Sequence, residues 1–243
     1  MSRLILISGA SRGLGLSLAR SFGAAGDEVH GISFSKKAWK QAEENFPAGG
    51  KLVLHQVDLT QENEVKALAA KFSKNRRIPD ILINNAGYGG KLSLIQDTPL
   101  SEFRKLLDSN LTSAFLMCKY FLPLFRKKKA GLIVNVSSMA GQRAVPRLFG
   151  YSASKFAMRA LTECVAKENS DLPIKCLTVS PGGMNTGMRA SIFGKEDASR
   201  QQSPDFVAGL VLAVIEDKFP LLSGSDIIIR HGKVTGILPP PAA

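Results

Sequence analysis

Cysteine is scarce in this chain. Cys118, Cys164 and Cys176 are odd in number, widely spaced and form no CxxC pair, which excludes a disulfide framework or a zinc ribbon and fits reduced, buried thiols. The three histidines, His30, His55 and His231, show no metal-ligand spacing, so no metal is expected. No apolar run approaches the ~18 residues of a membrane span. The opening Met-Ser-Arg precedes only four aliphatics before Ser8 and Gly9, too short for the apolar region of a signal peptide, and a cytoplasmic protein is expected. No internal repeat, low-complexity tract or linker precedes Pro239-Pro240-Pro241, which reads as a disordered or loosely docked tail. One domain over 1–243 is therefore expected.

Carboxylates are also in deficit: 20 acidic against 32 basic residues leave a formal charge of +12. That balance fits either an anionic partner, such as nucleic acid, an acidic carrier protein or a phosphorylated cofactor, or a solvated basic surface. The basic runs 74–77 and 126–129 lack interleaved aromatics for base stacking, so nucleic acid is not expected as a partner.

Short aliphatic runs alternate with helical spacings. Residues 4–7 end in Ser-Gly-Ala-Ser and 14–22 have helical periodicity, which reads as strand, glycine turn, helix. Further strands are predicted at 28–33, 52–57, 81–83, 132–136, 174–179 and 227–229. Helices are predicted from about Lys36, at 62–72, and over 101–128, 152–168 and 204–216. Strands separated by helices pair in parallel through right-handed crossovers. The predicted fold is α/β: a Rossmann-type doubly wound sheet of about seven parallel strands flanked by helices, with ligands at the carboxyl ends of the strands where strand order reverses.

The turn after the first strand carries Gly9, Gly13 and Gly15 in a G-x-x-x-G-x-G spacing, interleaved with Ser11, Arg12 and Leu14. Glycines there let backbone approach a pyrophosphate, and the helix N-terminal amides bind it. A carboxylate at the end of the second strand would accept from free ribose hydroxyls and repel a 2′-phosphate, but Ile32-Ser33-Phe34-Ser35-Lys36-Lys37 contains none. Lys36 and Lys37, with Ser33 beside them and Arg12 in the turn, favour NADPH over NADH; the alternative is two lysines opening a helix in solvent.

Tyr151 and Lys155 are four apart, so on a helix they share a face. Carbonyl reduction needs a proton delivered to oxygen as hydride reaches carbon, and a tyrosine of pKa ~10 takes part only if its phenolate is stabilised. Lowering that pKa by ~3 units needs about 4 kcal/mol, within reach of a nearby ammonium together with a positive nicotinamide ring in a low-dielectric cleft. Ser138, thirteen residues before Tyr151, can donate to the same oxygen. Ser137 competes for that role, and either serine can simply satisfy loop backbone.

Taken together these motifs resemble the classical short-chain dehydrogenases/reductases, over nearly the whole chain from Ser8 to about Gly232. The resemblance implies the glycine spacing found here and selects Ser138 as the serine of the set. It makes Asp58, before Leu59, an acceptor for the adenine amino group, although a helix cap explains Asp58 equally well. It lays the Asn85-Ala86-Gly87 backbone, after Asn84, along the cofactor. It gives Asn110 a water linked to the catalytic lysine, and brings Pro181, Gly182 and Thr186 against the nicotinamide. It also implies a homodimer or homotetramer, consistent with the small residues Ser152, Ala153, Ser154, Ala157 and Ala160, and a carbonyl substrate, including a carrier-bound acyl chain docked through 126–129. The loop about 185–203, with Met188, Ile192, Phe193, Arg189 and Lys195, is expected to be a flexible substrate lid. Arg230-His231-Gly232 departs from the Asp-Gly-Gly of many members, and Ser8 replaces the commoner threonine.

Overall fold

The computed structural model describes residues 2–36, 39–44, 46–218 and 221–240. Eight strands, β1 (Leu4–Ser8), β2 (Glu28–Ser33), β3 (Lys51–Gln56), β4 (Ile81–Asn84), β5 (Gly131–Val136), β6 (Ile174–Pro181), β7 (Asp226–Arg230) and β8 (Lys233–Leu238), form one sheet in the order β3-β2-β1-β4-β5-β6-β7-β8. Strands β1 to β7 are parallel and β8 is antiparallel to β7.

The aliphatic runs are continuous because the inner strands are covered on both faces. Successive side chains alternate between faces. Ile5, Ile7, Ile83 and Val134 pack under α1 (Gly13–Ala24) and α9 (Pro204–Ala213), with Leu18, Phe22, Val207 and Val211. Leu4, Leu6, Leu82 and Ile133 pack under α3 (Glu62–Lys74) and α5 (Ser113–Lys128), with Leu68, Phe72, Phe121 and Phe125. The remaining helices are α2 (Trp39–Glu44), α4 (Leu100–Leu107), α6 (Phe149–Glu168), α7 (Gly187–Phe193) and α8 (Lys195–Ser199). Among the described residues no helix is long and apolar enough to cross a membrane.

The seven parallel strands expected are found, and the sheet has an eighth, antiparallel strand: β8 is a half-exposed edge strand whose alternating Lys-Val-Thr-Gly-Ile-Leu lacks the aliphatic signature of the buried strands. His231 (φ 50°) and Gly232 (φ 69°) make the β7–β8 turn, both left-handed as a primed two-residue hairpin requires. The stretch 101–128 is broken by a π-turn at Asp108–Thr112, and the segment 185–203 is two short helices, α7 and α8, rather than a loop. The helix placed from about Lys36 is α2, described from Trp39, residues 37 and 38 lying outside the described residues. Of the proline tail, Pro240 packs on Gly224, where an added Cβ would lie 2.9 Å from its ring; Pro241 lies outside the described residues.

The outer strands hold a buried polar cluster. His30 Nδ1 and His55 Nε2 are 2.9 Å apart, and His30 Nε2 is 2.8 Å from Glu28 Oε1. Arg77 donates to Glu28 Oε2 at 2.5 Å, with Lys51 at 3.1 Å. Burial lowers the pKa of both histidines, His55 to about 4. For Glu28 burial is the largest single influence and acts upward, but the bonds from Arg77, His30 and Lys51 outweigh it and bring the pKa to about 2. A histidine held neutral adds stability that is complete above its unfolded pKa, ~6.5, and is lost as pH falls toward the folded value; Glu28 extends the loss from its unfolded pKa, ~4.3, downward. The urea unfolding free energy is therefore expected to fall by about 2 kcal/mol between pH 7 and pH 4.5 from His55 alone. A His30→Leu/His55→Leu protein should lose most of that slope, and an equal slope in both proteins would refute the assignment.

Candidate active site

The chain runs outward from β1 to β2 and β3, then returns to β4 on the other side of β1, so strand order reverses between β1 and β4. At that point the Ser8 hydroxyl, 1% exposed, accepts from the Asn85 and Ala86 amides, each at 2.9 Å. The Asn85 side chain donates back to Ser8 O at 3.0 Å and Gly9 O at 3.3 Å. These bonds hold the Asn85-Ala86-Gly87 backbone against the glycine turn. Gly9 is left-handed (φ 67°) and a Cβ there would meet Ala86 Cα at 2.9 Å; a Cβ on Gly15 would lie 2.2 Å from Gly9 O. Arg12 caps α1 in extended conformation without any side-chain cap bond, so Ser11, Gly13 and Leu14 present backbone at an uncapped helix start. That bare glycine cradle fits a dinucleotide diphosphate.

Around the rim, Ser33 donates to the Ser11 hydroxyl at 3.1 Å. Arg12 and Lys36 are exposed, with no ion-pair partner among the described residues. Lys37 lies outside the described residues. Asp58 Oδ1 accepts from the Thr60 amide at 3.0 Å and hydroxyl at 2.7 Å, so a local turn engages one of its oxygens; the next residue, Leu59, is buried.

The strand-end geometry separates the two serines. Ser137 is buried and donates to Lys155 O at 2.8 Å, packing where a Cβ on Gly141 would collide at 2.5 Å; it ties β5 to α6. Ser138 instead caps the short turn Met139–Gly141, accepting from Ala140 N at 3.1 Å, and lines the same cavity as Tyr151. Tyr151 and Lys155 lie one turn apart on α6, Lys155 Nζ 5.8 Å from the Tyr151 ring centre.

The expected lowering of the Tyr151 pKa is reversed in the protein alone. Burial pushes it up, only partly offset by Ser138. Burial also brings Lys155 down to about 8, and its ammonium donates to Val136 O at 2.8 Å. Buried groups resist charging in both directions.

Asn110 is fully buried in the π-turn, which explains a weak helix former there. Its side chain pairs with both backbone groups of Tyr88 (Tyr88 N at 2.6 Å, Tyr88 O at 2.9 Å) and donates to Ser154 Oγ at 3.0 Å. Ser154 in turn donates to Tyr151 O at 2.7 Å. The Asn110 contacts are thus to protein groups; a Cβ on Gly87 would meet Asn110 Oδ1 at 2.9 Å and Lys155 Nζ at 3.8 Å.

Pro181 ends β6 and Gly182 follows it, both lining the cavity that Tyr151 lines. Thr186 caps α7 by accepting from Arg189 N at 3.2 Å, with its methyl 3.4 Å from the position of a Gly13 Cβ. A cavity of about 840 Å³ lies between Ser138, Tyr151, Thr186 and Met188. Arg143 and Arg230 also line it. Sequence reasoning did not single out Arg143 and noted Arg230 only as part of the departure from Asp-Gly-Gly, although Arg230 ends a strand beside β6, where the ligand rule for such sheets applies.

Two surface expectations weaken. In 126–129, Arg126 donates to Asn169 Oδ1 at 2.6 Å and Lys128 pairs with Asp80, so half of the run is engaged internally. Ser152 and Ser154 turn inward, to Val145 N and Asn110, leaving the alanines of the small-residue set.

Residues 3–197 match the model of the short chain dehydrogenase family. The chain is 31% identical over 204 residues to an NADPH-dependent pterin aldehyde reductase of Arabidopsis thaliana, covering 84% of each chain. It is 34% identical over 239 residues to a 2-(R)-hydroxypropyl-CoM dehydrogenase of Xanthobacter autotrophicus, covering 96% of this chain and 95% of that one. The fold matches the crystal structure of levodione reductase with a TM-score of 0.88 over 95% of this chain and 96% of that one, at 23% identity.

Replacing Ser8 by alanine leaves two amides without their acceptor. Ser8→Ala is expected to lower the urea unfolding free energy by about 2 kcal/mol, since each buried unsatisfied donor costs about 1–3 kcal/mol, whereas Ser8→Thr keeps the hydroxyl. Equal stability of alanine variant and parent would remove Ser8 from this role.

Proposed function

Because the chain belongs to the short-chain dehydrogenases, a family of oxidoreductases, we propose that it is an NADPH-dependent reductase converting a carbonyl substrate to an alcohol, with Tyr151 as the proton donor. The observation that carries this reading is the pairing of Ser138 and Tyr151 on the wall of the cavity, with the Lys155 ammonium buried behind the tyrosine.

NADPH supplies the hydride when bound. Gly9, Ser11, Gly13, Leu14 and Gly15 would hold its diphosphate, and Arg12, Ser33, Lys36 and Lys37 its 2′-phosphate. Asp58, Leu59 and the Asn85-Ala86-Gly87 backbone would flank the adenosine and nicotinamide halves, with Pro181, Gly182 and Thr186 on the far side. The exposure of Arg12 and Lys36, without an ion-pair partner among the described residues, supports the phosphate reading.

Ser138 and Tyr151 donate to the substrate oxygen and stabilise the charge that develops there. A phenol whose pKa burial has raised stays protonated at neutral pH, as an acid must. Once the Tyr151 proton moves to that oxygen, the adjacent Lys155 ammonium opposes the charge left on the phenolate, and this requires a pH below its own value of about 8. Asn110 serves as a positioning residue, bracing Gly87 and Tyr88 against α6. The chain acts as one domain, with 185–203 as its substrate-covering segment.

Loss of NADPH absorbance across ketones, diketones, quinones and β-ketoacyl thioesters tests the reading. NADPH should outperform NADH, and Lys36→Glu should reduce that preference by about tenfold. Tyr151→Phe should slow turnover by about 10²–10⁴ while still binding NADPH. The reduction rate should fall as pH rises above about 8, as Lys155 loses its proton. Cofactor binding with no turnover of any compound would overturn the proposal.

A further inference from the structure

The cavity beside Tyr151 is lined by four arginines, Arg143, Arg189, Arg200 and Arg230; among the described residues, no aspartate, glutamate or lysine lines it. Two of the four are neutralised. Arg189 forms a bidentate pair with Asp197 at 2.5 and 3.1 Å and lies 4.3 Å from the Phe193 ring centre, and Arg200 pairs with Glu196 at 2.5 Å. Arg143 and Arg230 have no carboxylate within ion-pair distance among the described residues.

Arg230 is half-buried. It leaves β7 one residue beyond the Ile229–Pro181 pair, and its Cγ lies 3.4 Å from the position of a Gly182 Cβ. Gln202 braces the turn behind it, accepting from Gly232 N at 3.2 Å and donating to Ile229 O at 3.4 Å. Arg143 rides on the turn that starts at Ser138, its amide donating to Met139 O at 3.1 Å. The cavity wall also carries apolar side chains, among them Met139, Met188 and Ile192. A guanidinium stays charged at every accessible pH, so the half-buried Arg230, without a carboxylate partner among the described residues, favours an anion beside it, and Arg143, which is exposed, adds positive charge to the same lining.

We infer that the substrate carries an anionic group, a carboxylate, phosphate or sulfonate, separated from its carbonyl by an apolar stretch, and that Arg230 and Arg143 bind that group. This rests on the reductase reading for the identity of the reacting end, but the anion site itself stands on the cavity lining.

Calorimetry on the NADP⁺-saturated full chain tests it with hexanoate, hexyl phosphate, hexanesulfonate and 1-hexanol. At least one anion should bind about tenfold or more tightly than the alcohol. Arg230→Gln and Arg143→Gln should each cut that preference by about tenfold, and Arg230→Lys should restore part of it. In turnover, 5-oxohexanoate should exceed its methyl ester in kcat/KM, with the ratio collapsing in Arg230→Gln. Equal binding of anions and alcohol overturns the inference, as does loss of NADP⁺ affinity in place of the anion preference. Anion selectivity without any reduction would leave the site standing and sink the reductase reading; reduction indifferent to charge would do the reverse.

Discussion

The buried polar chain that starts at Ser8 governs the geometry of everything built on the sheet. A parallel sheet leaves diverging loops at the carboxyl ends of β1 and β4, and their amides need acceptors once buried. One hydroxyl supplies two such bonds, to Asn85 and Ala86. Two residues on, Tyr88 is gripped through both backbone groups by Asn110, which passes to Ser154 and so to the backbone of Tyr151. A second tie runs from Ser137 to Lys155 O. The glycine cradle and the proposed proton donor are thus held relative to one another by side-chain bonds inside the protein. In a low-dielectric interior, each partner left unpaired is expensive, which favours a single arrangement.

The parts of this fold that were legible in the sequence are those whose residues have no alternative use. The central strands β1 and β4 are buried throughout and therefore written as near-unbroken aliphatics; β8 is an edge strand, alternating and half-exposed, with a weaker signal. Glycines were legible because a side chain at Gly9 or Gly15 would strike backbone. Asn110 was visible as an anomaly but not as a π-turn, since one polar residue in a helical stretch cannot say which backbone it will pair with. The choice between Ser137 and Ser138 needed the family resemblance, because a strand end turns alternate residues to opposite sides and the sequence does not mark which side is the cavity. Charge was read least well. Arg126 and Lys128 looked like an open basic patch and are tied to Asn169 and Asp80, while Arg143, not singled out, and Arg230, noted only as a departure from Asp-Gly-Gly, both line the cavity.

Burial of the pair on α6 then sets how the site can work. The positive Lys155 and the ionised Tyr151 are each disfavoured by the same desolvation, so the lysine value falls and the tyrosine value rises. Below about pH 8 the protein holds an ammonium in a place that resists it, at a cost of roughly 3 kcal/mol for a shift of that size, offset in part by the bond to Val136 O. Any process that places negative charge on Tyr151 relieves this tension, because the unfavourable cation acquires a partner where screening is weak. Negative charge on Tyr151 and loss of the Lys155 proton above about pH 8 are thus two ways in which the same desolvation cost is reduced.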